Sequence, residues 1–299
     1  MTIDTRSLLA SAATRLAGAG VPAPQHDAEA LLAHVLGIAR GTIPAIDQVA
    51  DADRATFDLL LGRRASREPL QHITGRAPFR YLELEVGPGV FVPRPETEVM
   101  TGLAVDELRR VAAAGNEPVA VDLCTGSGAV AVALATEVPE AKVVGIELSA
   151  KAAAYAERNA SGTGVDILVG DLADVPSSLA HLAGAVHVVT ANPPYIPLAA
   201  WESVVEEART HDPGLALWSG EDGLDAIRQV AVVAATLAVD GGLVACEHAD
   251  VQGEAAPEVF VATGLWREVR DHPDLTGRSR FVTARRVTRP STRPGTIGP

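Results

Sequence analysis

Residues 119–131 read VAVDLCTGSGAVA, and this stretch decides the fold. Its first five residues are apolar apart from one aspartate, as in a strand that is buried on both faces. A short glycine-rich turn follows, and the stretch ends in alanine and valine residues that can begin a helix. A buried strand, a tight turn and a helix make the first half of a βαβ unit, so the stretch predicts a parallel α/β sheet.

The residues after this stretch alternate apolar strands with helices. Further strands are predicted at residues 142–148, 166–169, 186–191, 243–247, 266–271 and 280–285, and helices at 129–137, 150–160 and 224–238. The last two strands follow one another without a helix, which predicts an antiparallel hairpin at one edge of the sheet. We therefore predict an α/β fold with a seven-stranded Rossmann-like sheet, mostly parallel, and a small N-terminal helical domain.

The N-terminal part of the chain lacks this alternation. Apolar residues recur there at the spacing of one helix face, in residues 7–18, 24–37 and 53–66. Glycine or proline lies at or just after the end of each segment, as expected where helices stop. Residues 1–74 are therefore predicted to form the helical domain.

A short region of different composition separates the two parts. Residues 79–86 alternate charged and apolar side chains and are followed by GPG at 87–89, so we predict a strand and a turn within a β-hairpin linker over residues 75–95. The α/β domain then covers residues 96–287, and it begins with a helix predicted over residues 96–114, just after the prolines at 93 and 95. Residues 288–299 are rich in Pro, Thr, Gly and Arg, and we expect a disordered tail there.

The composition of the 299-residue chain narrows the function. The formal net charge is −13, and nucleic-acid binding usually needs a basic surface, so no stable binding to nucleic acid is expected. No apolar run approaches the roughly 20 residues that cross a membrane, and the N-terminus lacks a signal-peptide pattern, which predicts a cytoplasmic protein. The cysteines, Cys124 and Cys246, form no CxxC pair and the histidines lack metal spacing, so no metal site is predicted.

Charged residues cluster at two places in the sequence. Five arginines lie near the end of the helical domain, namely Arg63, Arg64, Arg67, Arg76 and Arg80. They could bind an acidic partner, or they could form a solvated charged face. The acidic pair at residues 206–207 is expected to contribute to solubility only.

Acidic residues lie at the ends of three of the predicted strands. Asp122 precedes the glycine turn, where it can meet a ligand ammonium group, and Glu147 and Asp171 end the next two strands. Ligands of such sheets bind outside the carboxyl ends of the strands, and a carboxylate there can accept both hydroxyls of a ribose. An adenosine-containing cofactor is therefore predicted, with the candidate ligands Asp122, Gly126, Gly128, Glu147, Asp171 and Leu172.

These residues alone leave two enzyme classes open. Gly126, Gly128 and Ala131 also satisfy the dinucleotide fingerprint G-x-G-x-x-A, and Glu147 lies at the sequence distance of its ribose-binding acid. An S-adenosylmethionine-dependent methyltransferase and a dinucleotide-dependent oxidoreductase are equally compatible with this turn. A third interpretation is a non-catalytic module in which the turn only packs a strand against a helix.

A second motif separates these classes. Residues 192–195, NPPY, directly follow the predicted strand at 186–191, and two prolines fix the backbone as it leaves the sheet. The nitrogen of a carboxamide or an exocyclic amine is a poor nucleophile, because its lone pair is delocalised. Asn192 and the carbonyl of Pro193 can accept its two hydrogens, and Tyr195 can stack on the planar group. The motif therefore favours a methyltransferase that acts on a planar NH2 group.

Together these motifs make the chain resemble the HemK/PrmC family of glutamine N5-methyltransferases, which act on peptide chain release factors. The resemblance covers nearly the whole chain. It includes PLQHITG at residues 69–75, FVPRPETE at 91–98, EH at 247–248 and RFVTAR at 280–285, besides the glycine turn and NPPY. The PRPETE segment matters most, because NPPY alone also occurs in adenine-N6 methyltransferases, which remain the alternative.

The resemblance implies a Rossmann-like methyltransferase sheet, S-adenosylmethionine as the cofactor and S-adenosylhomocysteine as its product. It implies methyl transfer to N5 of the glutamine in the Gly-Gly-Gln loop of class I peptide chain release factors, with the N-terminal helices as the docking domain. Catalysis is assigned to Asn192, Pro193 and Tyr195, and Thr97 would brace the pocket. The residues assigned to substrate binding are Asn192, Pro193, Pro194, Tyr195, Arg94 and Glu98. The resemblance also adds Thr125, Ser127 and Asn192 to the candidate ligands of the cofactor.

Two positions depart from the family pattern. Cys124 stands where the family usually has glycine, and Glu147 stands where aspartate is common. We expect an ordinary backbone dihedral at Cys124, and the longer acid at 147 still reaches a ribose.

Overall fold

The computed structural model describes residues 2–203 and 206–288, which fall into two compact units. The described residues of the first unit lie within Met1–Ala77, Glu85–Val92 and Ser203–Asp212. Those of the second lie within Pro78–Leu84, Pro93–Glu202 and Pro213–Pro299. Apart from Thr288, the predicted tail lies outside the described residues.

The first unit is mainly helical. Its helices are α1 (Thr5–Gly18), α2 (Pro24–Leu36), α3 (Asp51–Ala65) and α4 (Leu70–Thr74), and two short strands, β1 (Thr2–Asp4) and β2 (Gln48–Ala50), pair antiparallel. The side chain of Asp4 caps α1 by accepting from the backbone nitrogen of Ser7 at 2.8 Å. The apolar face that predicted each helix is buried, and its largest side chains include Leu16, Leu31, Leu32 and Phe57.

The first unit also holds an internal ion-pair cluster. Arg64 is only 4% exposed, and its guanidinium donates to Asp27 at 2.7 Å and to Glu207 at 2.8 Å. Arg67 contacts the same Glu207 at 3.2 Å. Both sequence interpretations are therefore wrong for Arg64, which is neither solvated nor open to a partner. The expectation that residue 207 serves solubility only is also wrong, because Glu207, in α9 (Glu206–His211), neutralises a buried cation.

The predicted strand at 79–86 is wrong, because the chain turns within it. Strand β3 (Arg76–Phe79) and strand β4 (Leu82–Glu85) form a hairpin around Arg80, whose φ is +52°. The backbone nitrogen of Arg80 donates to Glu98 at 3.0 Å, and its guanidinium pairs with Glu137. No glycine or asparagine marks this turn, since contacts distant in sequence hold it.

The second unit contains the predicted seven-stranded sheet. Its strands are β5 (Val119–Leu123), β6 (Lys142–Glu147), β7 (Asp166–Val169), β8 (Val186–Ala191), β9 (Ala238–Glu247), β10 (Trp266–Pro273) and β11 (Ser279–Arg286). Their order is β10-β11-β9-β8-β5-β6-β7, and β11 runs in the direction opposite to the other six strands. The fold class predicted from the sequence is confirmed.

Helices cover both faces of this sheet. They are α5 (Thr97–Ala113), α6 (Ala129–Glu137), α7 (Ala150–Ala160), α8 (Val175–Ser178), α10 (Asp225–Leu237) and α11 (Ala255–Thr263), of which α8 and α11 were not predicted. The apolar side chains form one cluster around Ile227 and Phe260 and another around Met100 and Phe281. None of the described helices combines the length and the apolar composition needed to cross a membrane.

The strand order brings the two sequence motifs together. It reverses between β5 and β8, which are adjacent and parallel, and Leu123 pairs with Ala191 at their carboxyl ends. The glycine turn begins one residue after Leu123, and NPPY begins one residue after Ala191. The reversal point is where ligands bind in such sheets, so the candidate site lies between these two loops.

Candidate active site

The two glycines of the turn serve different purposes. Gly126 has φ +58°, and nothing lies within 4 Å of the place where a Cβ would be, so its surface is open. Gly128 has φ +82° and caps α6, and a Cβ there would lie 3.2 Å from the backbone of Ala156. Gly128 therefore allows α6 and α7 to pack closely, whereas Gly126 leaves space in which a ligand can approach the backbone.

Asp122 lies beneath the turn and is 1% exposed. Its carboxylate accepts hydrogen bonds from the hydroxyl of Thr125 at 2.5 Å and from that of Thr190 at 2.7 Å. Burial raises the pKa of Asp122 to about 6. The side chain thus faces the protein interior and holds the turn to strand β8, instead of presenting a carboxylate to an exposed ligand.

Cys124 contradicts the expectation of an ordinary dihedral. Its φ is +59°, in the left-handed region that glycine adopts readily and other residues rarely do. The neighbouring Thr125 nitrogen donates to the carbonyl of Ile146 at 2.9 Å, which fixes the turn against strand β6. The geometry that favours glycine in the family is therefore kept here by a cysteine.

Glu147 ends strand β6 and joins the turn to the next helix. Its carboxylate accepts from the backbone nitrogens of Gly126 at 2.9 Å and of Ser149 at 2.8 Å, and the side chain is half-buried. Each carboxylate oxygen retains a lone pair for a further donor. Asp171 is exposed and Leu172 is buried beside it, so the three predicted acids lie at or just after the carboxyl ends of strands β5, β6 and β7.

The reaction side of the site contains a chain of side-chain hydrogen bonds. The amide nitrogen Nδ2 of Asn192 donates to Oγ1 of Thr97 at 3.2 Å, and this hydroxyl donates to Oε2 of Glu247 at 2.7 Å. The Tyr195 hydroxyl donates to Oε1 of the same carboxylate at 3.3 Å. Thr97 and Glu247 are 3% and 2% exposed, so both ends of NPPY depend on buried partners.

The backbone after the two prolines is also fixed. Pro193 is buried and Pro194 is half-buried. The side-chain amide of Gln252 donates to the carbonyl of Tyr195 at 3.1 Å. Gly223, with φ +77°, lies against the same carbonyl, and a methyl group at this position would overlap it. The position of Tyr195 therefore requires a glycine at 223.

The residues of the PRPETE segment have different partners. The hydroxyl of Thr97 contacts the side chain of Asn192, whereas the carboxylate of Glu98 accepts from the backbone nitrogen of Arg80 at 3.0 Å. Arg94 is half-buried, and its positive charge acts on Tyr195. Glu98 therefore braces the β3–β4 turn.

Burial dominates the electrostatics of Glu247. It raises the pKa of this carboxyl to about 7, against the opposing effects of the Thr97 hydroxyl, the positive charge of Arg280 and the Tyr195 hydroxyl. Burial also raises the pKa of Tyr195, so that the phenol stays protonated and donates. The site thus contains a carboxylate whose ionisation lies close to neutral pH.

Comparison with known proteins identifies the family. The family described as PrmC N-terminal domain matches residues 7–75, and the family described as methyltransferase domain matches residues 120–211. A release factor glutamine methyltransferase of Streptomyces coelicolor is 52% identical over 93% of this chain and 97% of its own. The enzyme of the same name from Mycolicibacterium smegmatis is 46% identical over 95% of this chain and 98% of its own.

The chain belongs to the release factor glutamine methyltransferase family. The resemblance found in the sequence is thereby confirmed, and neither the adenine-N6 alternative nor the oxidoreductase alternative is favoured. Another relative of similar extent is a 4-amino-L-phenylalanine/4-methylamino-L-phenylalanine methyltransferase of Streptomyces pristinaespiralis, 41% identical over 89% of this chain and 90% of its own.

Several residues of this release factor glutamine methyltransferase site were missed in the sequence. Thr190, Gln252 and Gly223 carry no motif, although a buried threonine near the end of a mostly apolar strand is a signal. Glu247 entered the sequence analysis only as part of the EH segment that resembles the family, yet it ends an apolar strand as Glu147 does. Within residues 2–203 and 206–288, no three His, Cys, Asp or Glu side chains could together hold a metal ion.

Proposed function

We propose that this chain transfers a methyl group from S-adenosylmethionine to N5 of the glutamine in the Gly-Gly-Gln loop of class I peptide chain release factors. The observation that carries the proposal is the orientation of Asn192. Its amide nitrogen is taken by Thr97, so its oxygen remains as an acceptor at the reversal point of the sheet. The names of the 52% and 46% identical relatives support the same substrate.

The residues around the glycine turn fit the cofactor. The open surface at Gly126 would receive it, and Glu147, with lone pairs left on both oxygens, would accept the two ribose hydroxyls. Thr125, Ser127 and the backbone of Gly128 would line the same turn. S-adenosylmethionine, when bound, supplies a methyl group made electrophilic by a sulfonium.

Two further acids complete this proposal. Asp171, with Leu172 packed beside it, would face the adenine amino group, since both follow strand β7. Asp122 would act by holding Thr125 in the turn, because its carboxylate is buried and already bonded to two hydroxyls.

At the reaction side, the chain would position the substrate amide through two acceptors. Oδ1 of Asn192 and the carbonyl of Pro193 would each accept one hydrogen of the NH2 group, which turns the nitrogen lone pair toward the methyl donor. These bonds strengthen as positive charge develops on the nitrogen, so they stabilise the transition state more than the ground state. No general base is assigned, because the methylated nitrogen is a strong acid and loses its proton afterwards.

Other residues would bind the rest of the substrate. Tyr195 would stack on the planar amide, and its ring is held by Glu247 and by the clamped backbone behind it. Pro194 would shape the loop and Arg94 would contact the substrate chain. The helical unit, which matches the PrmC N-terminal domain, would dock the release factor. We also propose that this docking domain ends at residue 74 and that the β-hairpin linker ends at residue 95. Release factors act at ribosomes, so the chain would act in the cytoplasm.

The test is mass spectrometry of the tryptic peptide that contains the Gly-Gly-Gln sequence, after incubation of a release factor with the enzyme and S-adenosylmethionine. The glutamine should gain the mass of one methyl group, and a release factor with this glutamine replaced by alanine should gain none. Labelled cofactor should also be offered with DNA and with 4-amino-L-phenylalanine. Label in either of these, with none in the release factor, would reject the proposed substrate.

Asn192→Ala provides the matched control. It removes one acceptor for the substrate amide while leaving the glycine turn intact. Turnover should fall by about 10²–10³-fold, the effect of losing one oriented group at a developing charge. The affinity for S-adenosylhomocysteine, measured by calorimetry, should change little. Full turnover by this variant would be incompatible with the proposed role.

A further inference from the structure

One buried carboxylate contacts both ends of the NPPY motif. Glu247 accepts directly from the hydroxyl of Tyr195 at 3.3 Å, and it accepts from Thr97 at 2.7 Å. Thr97 in turn accepts from the amide nitrogen of Asn192 at 3.2 Å. Three hydrogen bonds therefore connect the first and the last residue of the motif through Glu247, which takes no direct part in the proposed reaction.

The direction of these bonds decides which atom Asn192 offers to a substrate. Above about pH 7 the carboxyl of Glu247 is ionised and can only accept, and a hydroxyl has one hydrogen. Because Thr97 gives its hydrogen to Glu247, it has only lone pairs for Asn192. The NH2 group of Asn192 must therefore face Thr97, and the oxygen Oδ1 points elsewhere.

The opposite orientation would prevent binding of the amide nitrogen. Without an acceptor at 247, the Thr97 hydroxyl is free to donate to Oδ1 of Asn192. The side-chain amide would then turn by half a rotation and offer its NH2 group to the site. A substrate NH2 group finds no acceptor there, and two sets of donors would face each other unpaired.

We propose that Glu247 is a positioning residue, which acts through Thr97 to hold the oxygen of Asn192 toward the substrate nitrogen. Its second contact, with Tyr195, holds the aromatic ring at the other end of the same motif. The inference rests on the proposed function, since it concerns the acceptor for the amide hydrogens. It adds a residue that touches neither the substrate nor the cofactor.

The experiment compares Thr97→Val with Thr97→Ser in the full-length enzyme acting on a release factor. Valine keeps the shape of threonine and removes the hydroxyl, whereas serine keeps the hydroxyl. Thr97→Val should lower kcat by about 10- to 100-fold, somewhat less than loss of the acceptor itself, while Thr97→Ser should keep kcat within about threefold. The KM for the release factor and the Kd for S-adenosylhomocysteine should stay close to those of the wild type.

A double-mutant cycle tests whether Glu247 acts through Thr97. Glu247→Met removes the acceptor with a side chain of similar size, and it should lower kcat at least as much as Thr97→Val. In the double variant the two losses should be far from additive, because both break the same chain of bonds. Additive losses would indicate separate structural roles and overturn the inference.

The outcomes separate the two proposals. A wild-type enzyme that does not methylate the release factor overturns the proposed function and this inference with it. An active wild type with an equally active Thr97→Val variant overturns the inference alone. If Glu247→Met fails to fold, the Thr97→Val and Thr97→Ser pair still decides, since these variants differ in one hydroxyl and leave the carboxylate in place.

Discussion

Two glutamates end parallel strands of the same sheet, and the protein holds them in different ways. Glu147, at the end of β6, is half-buried, and two backbone nitrogens donate to its carboxylate. Glu247, at the end of β9, is 2% exposed, and two side-chain hydroxyls donate to it. In our proposals the first would bind the cofactor, and the second would position the residues that hold the substrate.

The difference indicates how each half of the site can fail. A carboxylate held by backbone groups depends on the shape of the glycine turn, which few side-chain changes disturb. A carboxylate held by hydroxyls depends on particular side chains, and it also bears the cost of burying a charge. We therefore expect substitutions to break the proposed reaction side one hydroxyl at a time, whereas the position of the Glu147 carboxylate should change only when the turn or Glu147 itself changes.

The largest effect is expected from a methyl group added at the reaction side. Gly223→Ala combines a positive φ with overlap of the Tyr195 carbonyl, and its cost should be about 2–5 kcal/mol of unfolding free energy. Gly126→Ala, on the cofactor side, has a positive φ but open space, so it should cost only about 1–2 kcal/mol. Urea denaturation without ligand measures both. Equal losses would show that close packing at Gly223 is unimportant.

The next effect follows from the buried charge. Burial raises the pKa of Glu247 from 4.5 to about 7. Between these pH values the unfolded chain has released the proton that the folded protein keeps, so stability falls as the pH rises through this window. The loss attributable to Glu247 should reach about 3 kcal/mol by pH 8.

Glu247→Gln cannot titrate, and it isolates this contribution. Urea denaturation at pH 5 and pH 8 should show a smaller loss for the variant than for the wild type. Asp122, whose pKa is raised to about 6, adds a loss of the same sign to both proteins and cancels in the comparison. Identical pH dependence in the two proteins would mean that Glu247 is not a buried titrating charge.

A smaller effect is expected when the cofactor side loses its carboxylate. Glu147→Ala removes the proposed acceptor for the ribose and should weaken binding of S-adenosylhomocysteine by about 2 kcal/mol, or about 30-fold, the range for hydrogen bonds to a charged group. Glu147→Asp keeps the carboxylate and should bind nearly as well as the wild type. Calorimetry measures both, and an unchanged Kd for Glu147→Ala would remove Glu147 from the cofactor site.

The sequence predicted the fold well, and it named the residues now proposed for the cofactor, because both depend on local patterns. The stretch at 119–131 states a strand, a turn and a helix in order, and alternation of strands and helices fixes the sheet that follows. Glu147 could be found because it lies at a fixed sequence distance from the glycine turn. NPPY was found because its residue types carry the chemistry by themselves.

The remaining features depend on contacts between distant residues. Thr97 and Glu247 are 150 residues apart in the sequence, and no local pattern links a helix start to a strand end. The turn at Arg80 is held by Glu98 and Glu137, so the segment looked like one strand. The interpretation of Arg64 failed for the same reason, since its partner Glu207 lies 143 residues away.

The smallest effect concerns Cys124, where the sequence predicted an ordinary dihedral and the structure has φ +59°. In the left-handed region a residue with a Cβ lowers the free energy of unfolding by about 1–2 kcal/mol, and glycine avoids this cost. Glycine instead makes the unfolded chain more flexible, which lowers the free energy of unfolding by about 0.5–1 kcal/mol. Cys124→Gly should therefore be more stable than Cys124→Ala by about 1 kcal/mol in thermal or urea denaturation. The comparison uses alanine because both variants lose the packing of the sulfur, so that only the backbone differs.

Since the turn and not the thiol would serve the cofactor, both variants should also bind S-adenosylhomocysteine, with glycine at least as tightly as alanine. If alanine were the more stable variant, the positive φ would cost less than the freedom that glycine adds to the unfolded chain, and the family's preference for glycine at this position would need another cause.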